Sequence, residues 1–151
     1  MLTLAATFST CLVLVLLTLP ATGQDQERPI FSGTWQFDAS KSDVHMSKIA
    51  SASWVIEEAD NSIHITQTEN GKGKKTELQC TTDGKECKFP GDRRDSFWYT
   101  DGMLVDMETK SDHVIRYRMK ISGDGKTLTI EVTHVVPQTD KMDTMVFQKQ
   151  S

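Results

Sequence analysis

Charge is absent from the first 23 residues, and helical periodicity is nearly absent from the rest. The uncharged segment is mostly apolar from Leu2 to Leu19, and its block Cys11–Leu19 reads as the hydrophobic region of an export signal. Pro20 and the small residues Ala21 and Gly23 then fit a signal-peptidase site, predicting a mature start at Gln24. Thr and Ser interrupt the apolar run and no basic stop-transfer flank follows it, so cleavage is expected rather than a membrane anchor. An excess of positive charge is missing too: the net charge is −4, which argues against nucleic acid and anionic membrane surfaces as partners. There is no Asn-x-Ser/Thr glycosylation sequon, no His-Glu-x-x-His run and no Cys-x-x-Cys pair. The four histidines, His45, His64, His113 and His134, therefore suggest no metal site, and the cysteines no redox motif.

What is present is a series of short alternating runs rich in Ile, Val, Thr and aromatics, punctuated by Asp-Gly and Asn-Gly. Such dipeptides favour two-residue hairpin turns, and each turn fixes a cross-strand register that the residue pattern can test. A turn at Asp124–Gly125 places Ile121 opposite Leu128, Met119 opposite Ile130, Tyr117 opposite Val132 and Ile115 opposite His134. The other face then pairs Lys120 with Thr129, Arg118 with Glu131 and Arg116 with Thr133. One face is apolar and the other polar, a sorting that a one-residue slip would destroy.

The same reasoning at Asp83–Gly84 sets Cys80 opposite Cys87 and Leu78 opposite Phe89. Directly opposed strand residues lie within disulfide reach, so an exported chain is expected to carry a Cys80–Cys87 bridge. A turn at Asn70–Gly71 places Ile63 opposite Leu78 and Ile65 opposite Thr76. One at Asp60–Asn61 sets Ile56 opposite Ile65 and Trp54 opposite Gln67. One at Asp101–Gly102 pairs Trp98 with Val105 and Ser96 with Met107, leaving Phe97, Tyr99 and Leu104 on the opposite face. A last strand, Asp143–Lys149, puts Met145 and Phe147 on one side and Val146 on the other.

With an opening strand around Trp35, nine or ten consecutive strands follow one another as an antiparallel meander. The predicted fold is all-β: a single up-and-down barrel over residues 31–151, after a signal peptide (1–23) and an N-terminal tail (24–30). Closure removes the exposed sheet edges. An immunoglobulin-like sandwich is disfavoured, because its cysteines would lie far apart with a Trp between them.

"FSGTWQFDASKS" (Phe31–Ser42) and "DGKTLTI…VFQKQ" toward the end resemble the lipocalin and fatty-acid-binding protein superfamily, and most nearly small secreted lipocalin-like proteins of bacteria. The resemblance implies a barrel able to hold a small molecule, with Trp35, behind Gly33, packed across the closed end. Two departures stand out. Fatty-acid-binding proteins carry a helix pair between their first two strands, whereas Ser40 to Ala52 leaves room for one short helix or a loop. They also commonly clamp the ligand carboxylate with an Arg-x-Tyr on the last strand, and the matching positions here are Met145 and Phe147. Arg116 and Arg118 do not replace that clamp, because the register points them outward.

The interior expected to meet a ligand contains Trp54, Ile65, Trp98, Tyr117, Met119, Ile130, His134, Met145 and Phe147. Ile56, Leu78, Phe89, Val105 and Val132 lie on the same face, and Ser96, Gln67 and Glu58 are further polar candidates. No nucleophile–base–orienter set can be assembled from these residues. The expectation is thus an exported, secreted or periplasmic, monomeric and non-catalytic protein. It would need no cofactor and would hold an apolar or amphipathic ligand. The alternative is a side-chain-packed barrel acting as an interaction module or inhibitor, which an exposed patch at Phe97, Tyr99 and Leu104 would favour. An enzyme using His134 with Tyr117 is a third reading.

Overall fold

The computed structural model describes residues 28–71, 73 and 75–151; the expected signal peptide lies outside the described residues. Ten strands follow in chain order: β1 (Gly33–Phe37), β2 (Ala52–Ala59), β3 (Ser62–Glu69), β4 (Lys75–Thr81), β5 (Asp83–Lys88), β6 (Arg93–Thr100), β7 (Met103–Lys110), β8 (His113–Ile121), β9 (Thr127–Val136) and β10 (Met142–Lys149). Consecutive strands pair antiparallel except β4 with β5, and β1 pairs with both β2 and β10. The sheet therefore curls into a barrel with a single seam, where β4 and β5 lie side by side without a hydrogen-bonded ladder. The Cys80–Cys87 disulfide crosses that seam, with its Cα atoms 5.7 Å apart. Closing so short a loop contributes about 2.5 kcal/mol in the chain-entropy model.

Three hairpins adopt the registers expected from their turns. The β8–β9 pair aligns Ile121 with Leu128, Met119 with Ile130, Tyr117 with Val132 and Ile115 with His134. Its outer face carries the Arg118–Glu131 ion pair at 3.3 Å. The β2–β3 pair sets Ile56 opposite Ile65, and β6–β7 sets Trp98 opposite Val105. Asp101 and Gly102 both have positive φ (49° and 70°), the backbone that a tight hairpin turn demands.

The other turns correct the expectation. Asp83–Gly84 is not a hairpin turn: the chain bends at Thr82, and Asp83 and Gly84 already belong to β5. The Asp83 carboxylate accepts hydrogen bonds from Thr81 Oγ1 (2.7 Å) and from the Lys85 backbone N–H (3.2 Å). These local bonds satisfy donors that a ladder would otherwise use. β5 then pairs with β6 through a bulge between Asp83 and Glu86, so Phe89 does not oppose Leu78. The cysteines meet across a seam instead of within a ladder.

At Asn70–Gly71 the connection is longer than two residues, and β3–β4 pairs Ile65 with Leu78 and Gln67 with Thr76. The slip is two residues, an even number, so every side chain keeps its expected face.

The third correction concerns β6 and β7. Phe97 and Leu104 are fully buried in the core, whereas Trp98 is only half-buried and lies outside the core cluster. Successive strand residues point to opposite faces, so Trp98 and Val105 face outward and Phe97, Tyr99 and Leu104 face inward. The expected interior role of Trp98 is thereby overturned, as is that of Val105, which is buried (4% exposed) on that outer face but lies outside the core cluster. The exposed patch at Phe97, Tyr99 and Leu104 does not exist.

One end of the barrel is filled. Phe31, Trp35, Ile56, Ile63, Leu104, Leu128, Ile130 and Phe147 pack there, all essentially without exposure. Phe147 stacks edge-on to Phe37 with ring centroids 5.5 Å apart and meets Trp54 at 5.2 Å. Trp35 closes this end, its Nε1 donating to the Phe31 carbonyl at 2.9 Å. Gly33 has φ +147°, a conformation open essentially to glycine alone, and it lets the Lys149 side chain pass close by to reach the Trp35 ring. Glu58 pins the entering chain by accepting from the backbone N–H of Phe31 and of Ser32 and from the Tyr99 hydroxyl.

Candidate functional site

The other end of the barrel is hollow. A cavity of about 580 Å³ is bounded by the apolar side chains of Trp54, Ile65, Leu78, Met119, Val132 and Met145. Tyr117, His134, Gln67, Arg93 and Asp106 add polar groups to the lining. Of the nine residues expected to meet a ligand, Trp54, Ile65, Tyr117, Met119, His134 and Met145 are brought together here. Ile130 and Phe147 belong to the filled end, and Trp98 faces outward. Glu58, another polar candidate, secures the N-terminal segment instead, and Ser96 sits beside Trp98 on β6 away from the cavity.

The mouth is formed by the segment between β1 and β2 and by the tip of the β3–β4 hairpin. The segment from Asp38 to Ser51 is a loop, with no helix. It is fastened at two points. Asp143, fully buried on β10, accepts the backbone N–H groups of His45 (2.6 Å), Met46 (2.9 Å) and Ser47 (2.9 Å), and the Ser47 hydroxyl at 2.8 Å. Burial raises the carboxyl, but these donors outweigh it and hold the pKa of Asp143 below its ordinary value of 3.8. At the hairpin tip, Asn70 Oδ1 accepts from the Ala50 N–H at 2.8 Å, and Asn70 Nδ2 donates to the Lys48 carbonyl at 3.1 Å. Ser47, Lys48 and Ile49 are thereby laid along the cavity rim.

Sequence reasoning named Tyr117, His134 and Gln67 but missed the charged groups of β6 and β7. Turning β6 and β7 so that Phe97 and Leu104 point inward also turns in Arg93, Asp95, Asp106 and Glu108. Arg93 Nε lies 3.0 and 2.9 Å from the two Asp95 oxygens, and its guanidinium also reaches Glu108 at 3.3 Å. Burial works against the Arg93 charge, but the Asp95 and Glu108 carboxylates hold its pKa above the ordinary value. The Tyr117 hydroxyl donates to Glu108 Oε2 at 3.0 Å, and burial, reinforced by Glu108, pushes the phenol well above its ordinary pKa. Tyr117 therefore stays neutral, with its proton committed to Glu108 and not to His134. Asp106 is 3% exposed, and its Oδ1 is buried without a hydrogen-bond partner. Burial first, then the nearby Asp95 charge, raises its pKa well above 3.8. The residue pattern gave no signal for this orientation: Trp98, Met103, Val105 and Met107 share one face of the hairpin, while Phe97, Tyr99 and Leu104 share the other with Arg93, Asp95, Asp106 and Glu108.

No protein-family model matches the chain, and no curated protein matches its sequence. Solved structures do. The fatty-acid-binding protein 1 of Echinococcus granulosus superposes with a TM-score of 0.63 at 13% identity, covering 80% of this chain and 98% of that one. A Schistosoma mansoni fatty acid binding protein in complex with arachidonic acid gives 0.63 at 11% identity, covering 80% and 96%. The fluorescent protein UnaG gives 0.61 at 16% identity, covering 80% and 97%. At these identities the likeness shows the fold alone: a β-barrel like those of the fatty-acid-binding proteins.

Proposed function

We propose that this is an exported, monomeric small-molecule-binding protein that holds an apolar or amphipathic ligand in its barrel without catalysing a reaction on it. The observation that carries the reading is the half-hollow interior. A cavity of about 580 Å³ lies within the usual size range of ligand pockets, and it has one apolar wall and a few convergent polar groups. The like-folded Schistosoma mansoni protein, in complex with arachidonic acid, supports an apolar cargo for a barrel of this type. The commitment of the Tyr117 hydroxyl to Glu108 supports a holding role over catalysis by a Tyr117–His134 pair. Export is supported by the uncharged, apolar start of the chain and by the Cys80–Cys87 bridge, which fits an oxidising compartment. The interaction-module reading loses its main support, since Phe97 and Leu104 are buried.

Native mass spectrometry of protein from its producing cells, before and after organic extraction, tests the proposal. A discrete extra mass that extraction removes is expected. The bare chain before extraction, together with no binding of amphiphiles added to the purified protein, would overturn it.

A further inference from the structure

The polar wall of the cavity is out of electrical balance. Asp95, Asp106 and Glu108 are three carboxyl groups served by one guanidinium, Arg93, which is occupied by Asp95 and Glu108. Among the described residues, no other cation adjoins Asp106, and Lys48 lines the cavity at its mouth. The unbalanced member is Asp106, almost fully buried, lining the cavity, with Oδ1 unpartnered. A second orphan lines the same space: Trp54 Nε1 is buried without an acceptor. Buried polar groups are ordinarily satisfied, so the Asp106 oxygen points to a missing donor; Trp54 Nε1, across the barrel on β2, needs an acceptor instead.

Building on the ligand-binding reading above, we infer that the cargo is an organic cation: an amine whose charged nitrogen meets Asp106 while its apolar body lies among Trp54, Ile65, Met119 and Met145. An ammonium supplies positive charge and a donor for the Asp106 carboxylate. A metal ion does not suit, because among the described residues no three His, Cys, Asp or Glu side chains are grouped to hold one. A fatty acid suits poorly, since its carboxylate would be a fourth anion beside a guanidinium already shared between two.

Binding the ammonium requires Asp106 to ionise and release its proton to solvent. The groups that face it are Arg93 and Asp95 on β6, Glu108 on β7 and Tyr117 on β8. His134 lies on the cavity wall, with Lys48 and Glu69 at the mouth. Affinity for the amine therefore rises with pH, by up to about tenfold per pH unit while Asp106 is protonated in the free protein, and levels off above that range.

Three probes with the same ten-carbon tail separate the head groups: decylamine, decanol and decanoate, titrated into the exported protein by calorimetry. Decylamine is expected to bind at least tenfold more tightly than either of the others at neutral pH. In Asp106→Asn the preference for amine over alcohol should fall to near unity and the pH dependence should vanish. Equal or tighter binding of decanoate, or an amine preference that survives in Asp106→Asn, would overturn the inference while leaving the ligand-binding reading intact. So would amine affinity in the unmutated protein that falls as pH rises, a measurement needing no variant to fold. Failure of all three probes to bind, together with a bare native mass, would remove both.

Discussion

Asp143 and Asp106 are both aspartates buried inside one barrel, one behind the mouth loop and one on the cavity wall, and their physics is opposite. Asp143 receives four hydrogen bonds from three successive residues, and its pKa is held below the ordinary value. Asp106 has an unpartnered oxygen beside other carboxylates, and its pKa is raised well above it. Burial alone therefore says little about a carboxylate. The count of donors delivered to it decides whether its charge supports the fold or strains it. Asp143 holds the loop between β1 and β2 in place by accepting from its backbone. The Asp106 charge is favoured by Arg93 alone, a guanidinium already engaged by Asp95 and Glu108, the pattern expected where a site awaits a ligand.

The comparison breaks first if the faces of β6 and β7 are wrong, because Phe97 and Asp106 are register partners and point inward together. Phe97→Ala is expected to cost about 4 kcal/mol in denaturant unfolding, and Trp98→Ala only about 1 kcal/mol. The reverse order would place Asp106 outside and dissolve the contrast. Next in size, Asp143→Asn removes one acceptor oxygen and turns amide hydrogens toward backbone donors, an expected loss of about 3 kcal/mol with faster amide exchange at His45, Met46 and Ser47. A loss below about 0.5 kcal/mol would show that the loop is held by other means. Asp106→Asn has the opposite sign: removing a carboxyl that resists ionising should stabilise the unliganded protein by about 1 kcal/mol at neutral pH.

The smallest effects lie in pH dependence. Asp143, with its lowered pKa, contributes stability that is present above the unfolded-state value and is lost as pH falls through the folded one. Asp106, with its raised pKa, binds its proton more tightly when folded, so stability declines as pH climbs from the unfolded value toward the folded one. Unfolding free energies measured across pH should therefore show a shallower acid loss in Asp143→Asn than in the unmutated protein. Asp106→Asn should show a smaller decline above pH 4. Parallel curves for both variants would mean that the two carboxyls do not differ.

Much of the barrel could be read from the residues, for local reasons. The Asp124–Gly125 turn brings apolar residues opposite apolar ones only in the observed β8–β9 register, and Asp60–Asn61 and Asp101–Gly102 act likewise. Six of the cavity-facing residues followed from that alternation. The failures share another character. Asn70–Gly71 misled by two residues because Asn70 is drawn into tying the loop at Ala50, a contact twenty positions away. Asp83–Gly84 misled because β5 finds its partner in β6. On β6 and β7 both faces carry apolar residues, so local alternation does not choose between them.

The sequence by itself determined the strand count to within one and three hairpin registers, because turn chemistry and alternation act over a few residues; the pairing of Cys80 with Cys87 followed from their being the two cysteines beyond the expected export signal. Only the tertiary structure decided where the barrel is left unladdered, which half of its interior is filled, and that Arg93, Asp95, Asp106 and Glu108 are enclosed together. Those outcomes depend on how the sheet curls and closes, β1 onto β10 and β4 beside β5. Closure brings distant strands around one space, and whether a charge lies in water or inside that space is settled only when the ring is complete.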